Sequence, residues 1–226
     1  GSKTFIANGE HANLVLVVAK TDTSQKAKGI SIILCEENNK GFKRGKNLEK
    51  IGMKAQDTSE LYFEEVILPK ENILGNAGQG FSQLMDELPQ ERLSIAVTAI
   101  SAAEAALNWT IAYVKERTAF DKKIIEFQNT KFTLAKLKAD ITVGRAFIDR
   151  CIKEHINNNF SAEDGAIAKL WCTDLQFKVM DECLQLHGGY GYMKEYPIAR
   201  AFLDSRVQRI YGGTNEIMKE IISRNL

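Results

Sequence analysis

The hydrophobic period of this chain changes once, near residue 75, and that change restricts its fold more than any other feature. Ahead of it lie short β-branched and aromatic runs separated by polar punctuation. Residues 14–18 and 30–34 are two of them. A third covers residues 61–63 and continues through 66–68 until Pro69, which lacks a backbone donor, stops it. Between the second and third runs lie Lys40, Lys43, Arg44, Lys46, Lys50 and Lys54, read as a solvated loop and edge strand. Runs this frequent predict a small antiparallel, barrel-like β domain over residues 1–75.

Behind residue 75 the apolar positions recur with helical spacing. Leu93, Val97, Ile100, Leu107, Ile111 and Val114 mark one long helix. Leu134, Leu137, Ile141, Ile148 and Ile152 mark a second, and Ile167, Trp171, Leu175, Val179 and Cys183 a third. Gly188 and Gly189 are expected to close the third helix. Pro197 is expected in the first turn of a short one. A last helix is expected from about Asn215 to the end. The predicted class is α+β, with the β domain over 1–75 followed by a C-terminal helical bundle over 76–226.

Thirty basic residues face twenty-nine acidic ones, a formal net charge of +1. No broad field therefore draws in nucleic acid or an anionic membrane. The longest apolar runs, such as 14–19 and 30–35, are too short to span a bilayer, so no membrane insertion is expected. Cys35, Cys151, Cys172 and Cys183 form no C-x-x-C pair and read as reduced, mostly buried thiols.

Four segments carry chemistry-bearing residues. In the first, Asp86-Glu87-Leu88-Pro89-Gln90-Glu91-Arg92, a proline interrupts the early turns of the longest helix and is expected to kink or reset it. Glu87 and Glu91 project from one face, either into solvent or as a base. The second, Arg117-Thr118-Ala119-Phe120, opens a connection extending through Gln128. Such a turn holds a phosphate and an aromatic ring, or simply complements a helix dipole. The third, Gln185-Leu186-His187-Gly188-Gly189-Tyr190-Gly191, permits close backbone approach to a flat or anionic group. It is not a dinucleotide fingerprint, because no strand precedes it. His187 reads as a packed or hydrogen-bonded histidine, not a metal ligand, and no metal-ligand spacing occurs in the chain. The fourth, Tyr211-Gly212-Gly213-Thr214-Asn215-Glu216, opens the final helix as an anion site or a plain cap.

In this order and spacing the segments are similar to those of the acyl-CoA dehydrogenase family, over almost the whole chain. Lys3-Thr4-Phe5-Ile6-Ala7-Asn8-Gly9 resembles the family's strand along the flavin. Ile51-Gly52-Met53, Leu61-Tyr62-Phe63, Pro69 and Gly75 match the rest of its middle β domain. Arg117, Phe120, Gln128 and the third and fourth segments match its C-terminal helical domain.

The resemblance implies FAD as cofactor, an acyl-CoA thioester as substrate, and α,β-dehydrogenation as reaction. A carboxylate removes the α-proton while the β-hydrogen leaves as hydride to the flavin. That base must be ionised yet desolvated, with its pKa raised toward neutrality. Many members carry it just before the Gly-Thr of the fourth segment, where this chain has Gly212. Members of the long-chain and isovaleryl type carry it on the first long helix before an arginine, where this chain has Glu91-Arg92. The resemblance thus implies Glu91 as the base, Glu87 as its rival, and a likeness to the long-chain type.

Pro89, Gln90 and Arg92 are expected to border the thioester, and Gly212 and Gly213 to leave room for it. Phe5, Ile6, Ala7, Thr214, Asn215 and Glu216 are expected to contact the flavin. Arg117, Gln128, Gln185, Leu186, His187, Gly188 and Gly189 are expected to reach the FAD of a neighbouring subunit, with Phe120 in the same cofactor-binding set. A homodimer or homotetramer follows, with electron-transferring flavoprotein as redox partner. The compartment is a bacterial cytoplasm or a mitochondrial matrix. Ala7 replaces a frequent hydroxyl residue, Phe5 a frequent tryptophan, and Asp121 a frequent glycine, which leaves the turn at Phe120 open. The chain enters directly in a strand, so the family's N-terminal helical domain is expected to be missing and the chain alone to be nearly inactive. Two alternatives stand beside this reading. One is a non-catalytic oligomerisation fragment, which a colourless preparation would favour; the other is an acyl-CoA oxidase using oxygen, which peroxide formation would favour.

Overall fold

The computed structural model describes residues 1–224 and 226. The chain separates into two compact units, Gly1–Glu87 and Leu88–Leu226.

In the first unit the β-branched runs become β2 (Leu14–Lys20) and β3 (Ile30–Glu36), an unbroken antiparallel pair from Leu14 opposite Glu36 to Lys20 opposite Ile30. A second antiparallel sheet has the order β1-β5-β4, formed by β1 (Ser2–Ala7), β4 (Phe42–Asn47) and β5 (Thr58–Phe63). The basic stretch supplies β4, an edge strand. Lys43 pairs with Glu64 at 2.8 Å, and Arg44 with Glu37 at 2.9 Å. Cys35, Phe42 and Leu61 form the small core, joined by Ile6, Val15, Val17 and Phe63.

The third strand departs from the expected one. It begins at Thr58 and ends at Phe63, without reaching residues 66–68. Glu65 takes φ +51, which no strand residue can hold, so the chain turns there. Val66 and Leu68 still pack on the sheet core, which is why the sequence places them with the strand. Beyond them Leu74 N–H donates to Ile32 O at 2.9 Å, bringing the segment back to β3. A Cβ on Gly80 would lie 2.7 Å from the carbonyl carbon of Ser31, so the following helix starts where only glycine fits.

The second unit is a bundle of α1 (Gly80–Glu116, entering from the first unit), α2 (Gln128–Ile156), α3 (Ala162–His187), α4 (Pro197–Ser205) and α5 (Asn215–Ser223). α3 starts on a capping box in which Asp164 N–H donates to Ser161 Oγ and Ser161 N–H to the Asp164 carboxylate. It ends at Gly188 with φ +58. Pro197 occupies the first turn of α4, as expected, and of the two capping candidates at the start of α5 it is Thr214, not Asn215, that caps the helix. Pro89 lies inside α1, but the helix runs unbroken through it instead of resetting. The hydrogen bond it forfeits is to the carbonyl of Met85, a residue that is itself exposed.

The helices approach more closely than a count of large apolar residues suggests. The fully buried face of α1 is Ala96, Ala99, Ile100, Ala103, Ala106 and Val114, while Val97 and Ile111 are only partly buried. On α3 the core is met by Ala168, Cys172, Leu175 and Val179; Ile167 and Trp171 stand at the edge, 36% and 40% exposed. A Cβ on Gly144 of α2 would come within 2.7 Å of Ile100 Cδ1. By length and apolar content α1 is one helix long enough to cross a membrane, which counting unbroken runs passed over. Less than half of its most apolar stretch is buried, and that part includes Ile95, Ile100 and Leu107 as well as the alanines. All four cysteines are buried free thiols, and burial pushes Cys172 up to about 12 and Cys183 to about 11.

Candidate functional site

Glu91 and Arg92, successive residues of α1, diverge. Glu91 is exposed, while Arg92 is buried and its Nε donates to Gly212 O at 3.4 Å. Burial lowers the Arg92 pKa, and the adjacent Glu91 carboxylate opposes that shift. The hydrogen bond draws the turn ahead of α5 against α1. Gly212 has φ +63 and Gly213 φ +89, conformations that L side chains rarely adopt. A Cβ on Gly212 would lie 2.5 Å from Ile95 Cδ1 and 3.8 Å from Glu91 Oε1. The Glu91 carboxylate therefore stands beside the position where a side chain at residue 212 would begin. Glu87, also exposed, is one turn earlier on the same helix.

Behind the turn lies a polar network that the sequence did not announce. Lys169 of α3 is fully buried, and its ammonium donates to Gly213 O at 2.8 Å and Asn215 Oδ1 at 2.7 Å. Asn215 Nδ2 donates in turn to Thr173 Oγ1 at 3.1 Å and Asp174 Oδ1 at 3.0 Å, and Arg209 pairs with Asp174 at 2.6 Å. Desolvation brings the Lys169 pKa down to about 8; Asp174 and Glu216 oppose the shift, while Arg92 and Arg209 add to it. The one available signal was phase: four residues after Gly165 and three before Cys172, Lys169 sits on the buried face of an apolar helix. The Asn215 side chain is thus turned inward, and the residue as a whole is buried. Glu216 lies in the first turn of α5, where its own backbone N–H lowers its carboxyl pKa and the Thr214 hydroxyl adds to that effect.

A second constellation surrounds a cleft of about 580 Å³ lined by Tyr113, Arg117, Gln185, Leu186, His187, Gly188 and Gly189, among others. His187 stacks on Tyr113 with ring centroids 4.3 Å apart. Its Nδ1 lies 2.8 Å from Cys183 O, and burial lowers its pKa. Arg117 lies over the Tyr190 ring at 5.1 Å. Cβ atoms on Gly188 and Gly189 would meet nothing within 4 Å, so backbone alone faces open space there. Five consecutive candidates, residues 185–189, thus gather with Arg117. Tyr113 and Tyr190 join them without having been singled out in the sequence as ring partners.

Two more members of that set lie outside the cleft lining. Phe120 is 88% exposed at the tip of a two-stranded hairpin, β6 (Thr118–Ala119) and β7 (Lys122–Lys123). Phe120 and Asp121 both have positive φ, +54 and +61, the signature of a type I′ turn, which resolves the turn left open by Asp121. Gln128 is the first residue of α2, not the last of the connection. Pro89 packs near α3, where a Cβ on Gly165 would be 3.1 Å from its Cα, and Gln90 is exposed. Phe5, Ile6 and Ala7 lie on β1 of the first unit; Phe5 is exposed and Ile6 packs on the sheet core. Among the described residues no group of three or more His, Cys, Asp or Glu is placed to hold a metal ion.

The chain resembles known proteins along its full length. A family model described as acyl-CoA dehydrogenase, C-terminal domain, matches residues 78–226, and one for the middle domain of the same family matches residues 1–66. The mouse mitochondrial long-chain specific acyl-CoA dehydrogenase is 52% identical over 228 residues, covering 100% of this chain and 53% of that protein. The chain thus spans about half the length of the curated relatives it matches. A solved acyl-CoA dehydrogenase from Geobacillus kaustophilus superposes with a TM-score of 0.97 at 48% identity, covering 100% of this chain and 60% of that one. A chain from the structure of the electron transferring flavoprotein of Acidaminococcus fermentans superposes at 0.95 and 36% identity, with 100% and 59% covered. The chain belongs to the acyl-CoA dehydrogenase family.

Proposed function

We propose that the protein carrying this chain is an FAD-dependent acyl-CoA dehydrogenase of the long-chain type, with Glu91 as the base that removes the α-proton. One observation carries the assignment of the base: Glu91 Oε1 lies 3.8 Å from the place a Cβ on Gly212 would occupy, in a turn that itself offers no carboxylate. A carboxylate delivered from α1 reaches the space that a side chain from the turn would otherwise fill. Arg92 holds the Gly212 carbonyl, and Gly212 and Gly213 leave the acyl thioester room beside the base.

The cleft suits FAD. It offers a stacked aromatic wall in Tyr113 and His187, a cation in Arg117, and an open glycine floor, which match flat rings joined by phosphates. When bound, the flavin supplies the acceptor for the β-hydrogen. Arg117 binds the anionic part, and residues 185–189 orient the rest, in keeping with a cofactor shared with a neighbouring subunit. Glu91 holds the α-proton on its carboxylate until it is released to solvent. Electron-transferring flavoprotein is the proposed oxidant of the reduced cofactor, supported by the likeness to the Acidaminococcus structure. A mitochondrial relative and a bacterial one accord equally with either compartment.

The test is flavin bleaching by a long-chain acyl-CoA in the full-length protein, wild type beside Glu91→Gln. The variant should keep FAD and bind the thioester but bleach about a thousandfold more slowly, within the range by which positioned general bases accelerate proton transfer. Bleaching at the wild-type rate would move the base to Glu87 or to a residue outside this chain.

A further inference from the structure

We propose that Lys169 is a positioning residue for the reaction. In this inference, which rests on the function proposed above, its ammonium latches the Gly212–Gly213 turn to α3 so that the turn faces Glu91 at a fixed separation. Two consecutive glycines at positive φ are the costliest kind of segment to hold in one conformation. Two cations grip them, on successive carbonyls: Arg92 from α1 on Gly212 O at 3.4 Å, and Lys169 from α3 on Gly213 O at 2.8 Å. The Lys169 contact is shorter, and the same ammonium also grips the next element through Asn215 Oδ1 at 2.7 Å. Asn215 is fixed by Thr173 and Asp174, and Asp174 by Arg209. The turn is therefore clamped on both sides of Thr214.

This arrangement is expensive where plain packing would serve. A buried ammonium loses its hydration, and its neighbours only partly compensate: Asp174 and Glu216 favour the charge, while Arg92 and Arg209 oppose it. Slack in the turn is small, because Ile95 Cδ1 lies 2.5 Å from where a Cβ on Gly212 would be. A displaced turn would change the gap between Glu91 and the substrate carbon, and a shift of about 1 Å at a reacting centre costs on the order of a hundredfold in rate.

The experiment uses the full-length flavoprotein with Lys169→Met and, as a second variant that keeps an amide donor, Lys169→Gln. Flavin bleaching is followed over a range of acyl-CoA concentration, and backbone amide exchange is read by mass spectrometry. In a variant that melts cooperatively and keeps its flavin, the saturating rate should fall about ten- to a hundredfold. The half-saturating concentration should stay within about twofold. Amide exchange should quicken in residues 211–216 but not in 185–191. A saturating rate equal to wild type, a loss expressed mainly in half-saturation, or exchange that rises equally in both segments would each overturn the proposal. Failure of both variants to fold would make Lys169 a requirement of the bundle core and overturn it as well. If wild-type flavin is bleached by no acyl-CoA, the functional reading falls, while amide exchange still decides whether the latch exists.

Discussion

Lys169 carries an ammonium with no exposed surface, and its energetics have a definite sign in pH. Its folded pKa is about 8 against an ordinary 10.5, so between those values the unfolded chain binds the proton that the folded chain has released. Stability therefore rises with pH across that window; below about 8 the full penalty of the buried charge is present. Lys169→Met removes the titration. The stability of wild type minus that of the variant should grow by up to roughly 3 kcal/mol from pH 8 to 10.5, at about 1.4 kcal/mol per pH unit. Denaturant melts at several pH values measure this directly, and a flat difference would show that the lysine keeps its ordinary pKa. Residues of this kind explain what the sequence withheld. Glu91 and Gly212 were paired only through the family resemblance, which marks a carboxylate present at one position and missing at another; the spacing of Glu87 and Glu91 alone left them open as a solvated face. Helical phase alone marked Lys169 as buried; its partners Gly213 and Asn215 lie 44 and 46 positions away, and nothing local to it in sequence specifies them.

Elements were legible where one physical signal dominated. The long helices, the glycine closing α3, and Pro197 at the start of α4 all follow from spacing and caps. Two misplacements have one cause, that large apolar residues were given more weight than backbone geometry. Val66 and Leu68 pack against the sheet core from an irregular segment beyond the bend at Glu65, and Ile167 and Trp171 flank a core made by Ala168 and Cys172. The hairpin at Phe120 is the sharpest conflict between residue and element. A type I′ turn favours Asn-Gly, and a bulky aromatic at φ +54 is strained there by roughly 1 kcal/mol. Phe120 is 88% exposed, with its ring edge-on to that of Phe127 at 6.3 Å between centroids, so little burial offsets the strain. We expect Phe120→Asn to raise stability by about 1 kcal/mol in thermal melts and to weaken FAD retention in the full-length protein. Higher stability with unchanged flavin retention would remove Phe120 from the cofactor set.

For the molecule as a whole, the proposed oligomer requires a face, and α2 presents one. Phe132 and Val143 are 65% and 62% exposed and lie three turns apart on the same side of the helix. Ala135, Ala139 and Ala146 continue the stripe with spacings of three and four, all exposed. An exposed apolar stripe in which small residues alternate with larger ones permits close approach of a second helix, and a copy of the same chain supplies its own match across a two-fold axis. Val143 has no place in the bundle core, so Val143→Glu should leave the melting of the subunit within about 0.5 kcal/mol of wild type. In sedimentation velocity, however, it should shift the full-length protein to a smaller species. If the cleft beside Arg117 and residues 185–189 takes its cofactor jointly with a neighbouring subunit, the same variant should also lose flavin, although Val143 is not among the cleft's lining residues. Dissociation with flavin retained would confine cofactor binding to a single subunit, and unchanged sedimentation would move the assembly contact off this face of α2.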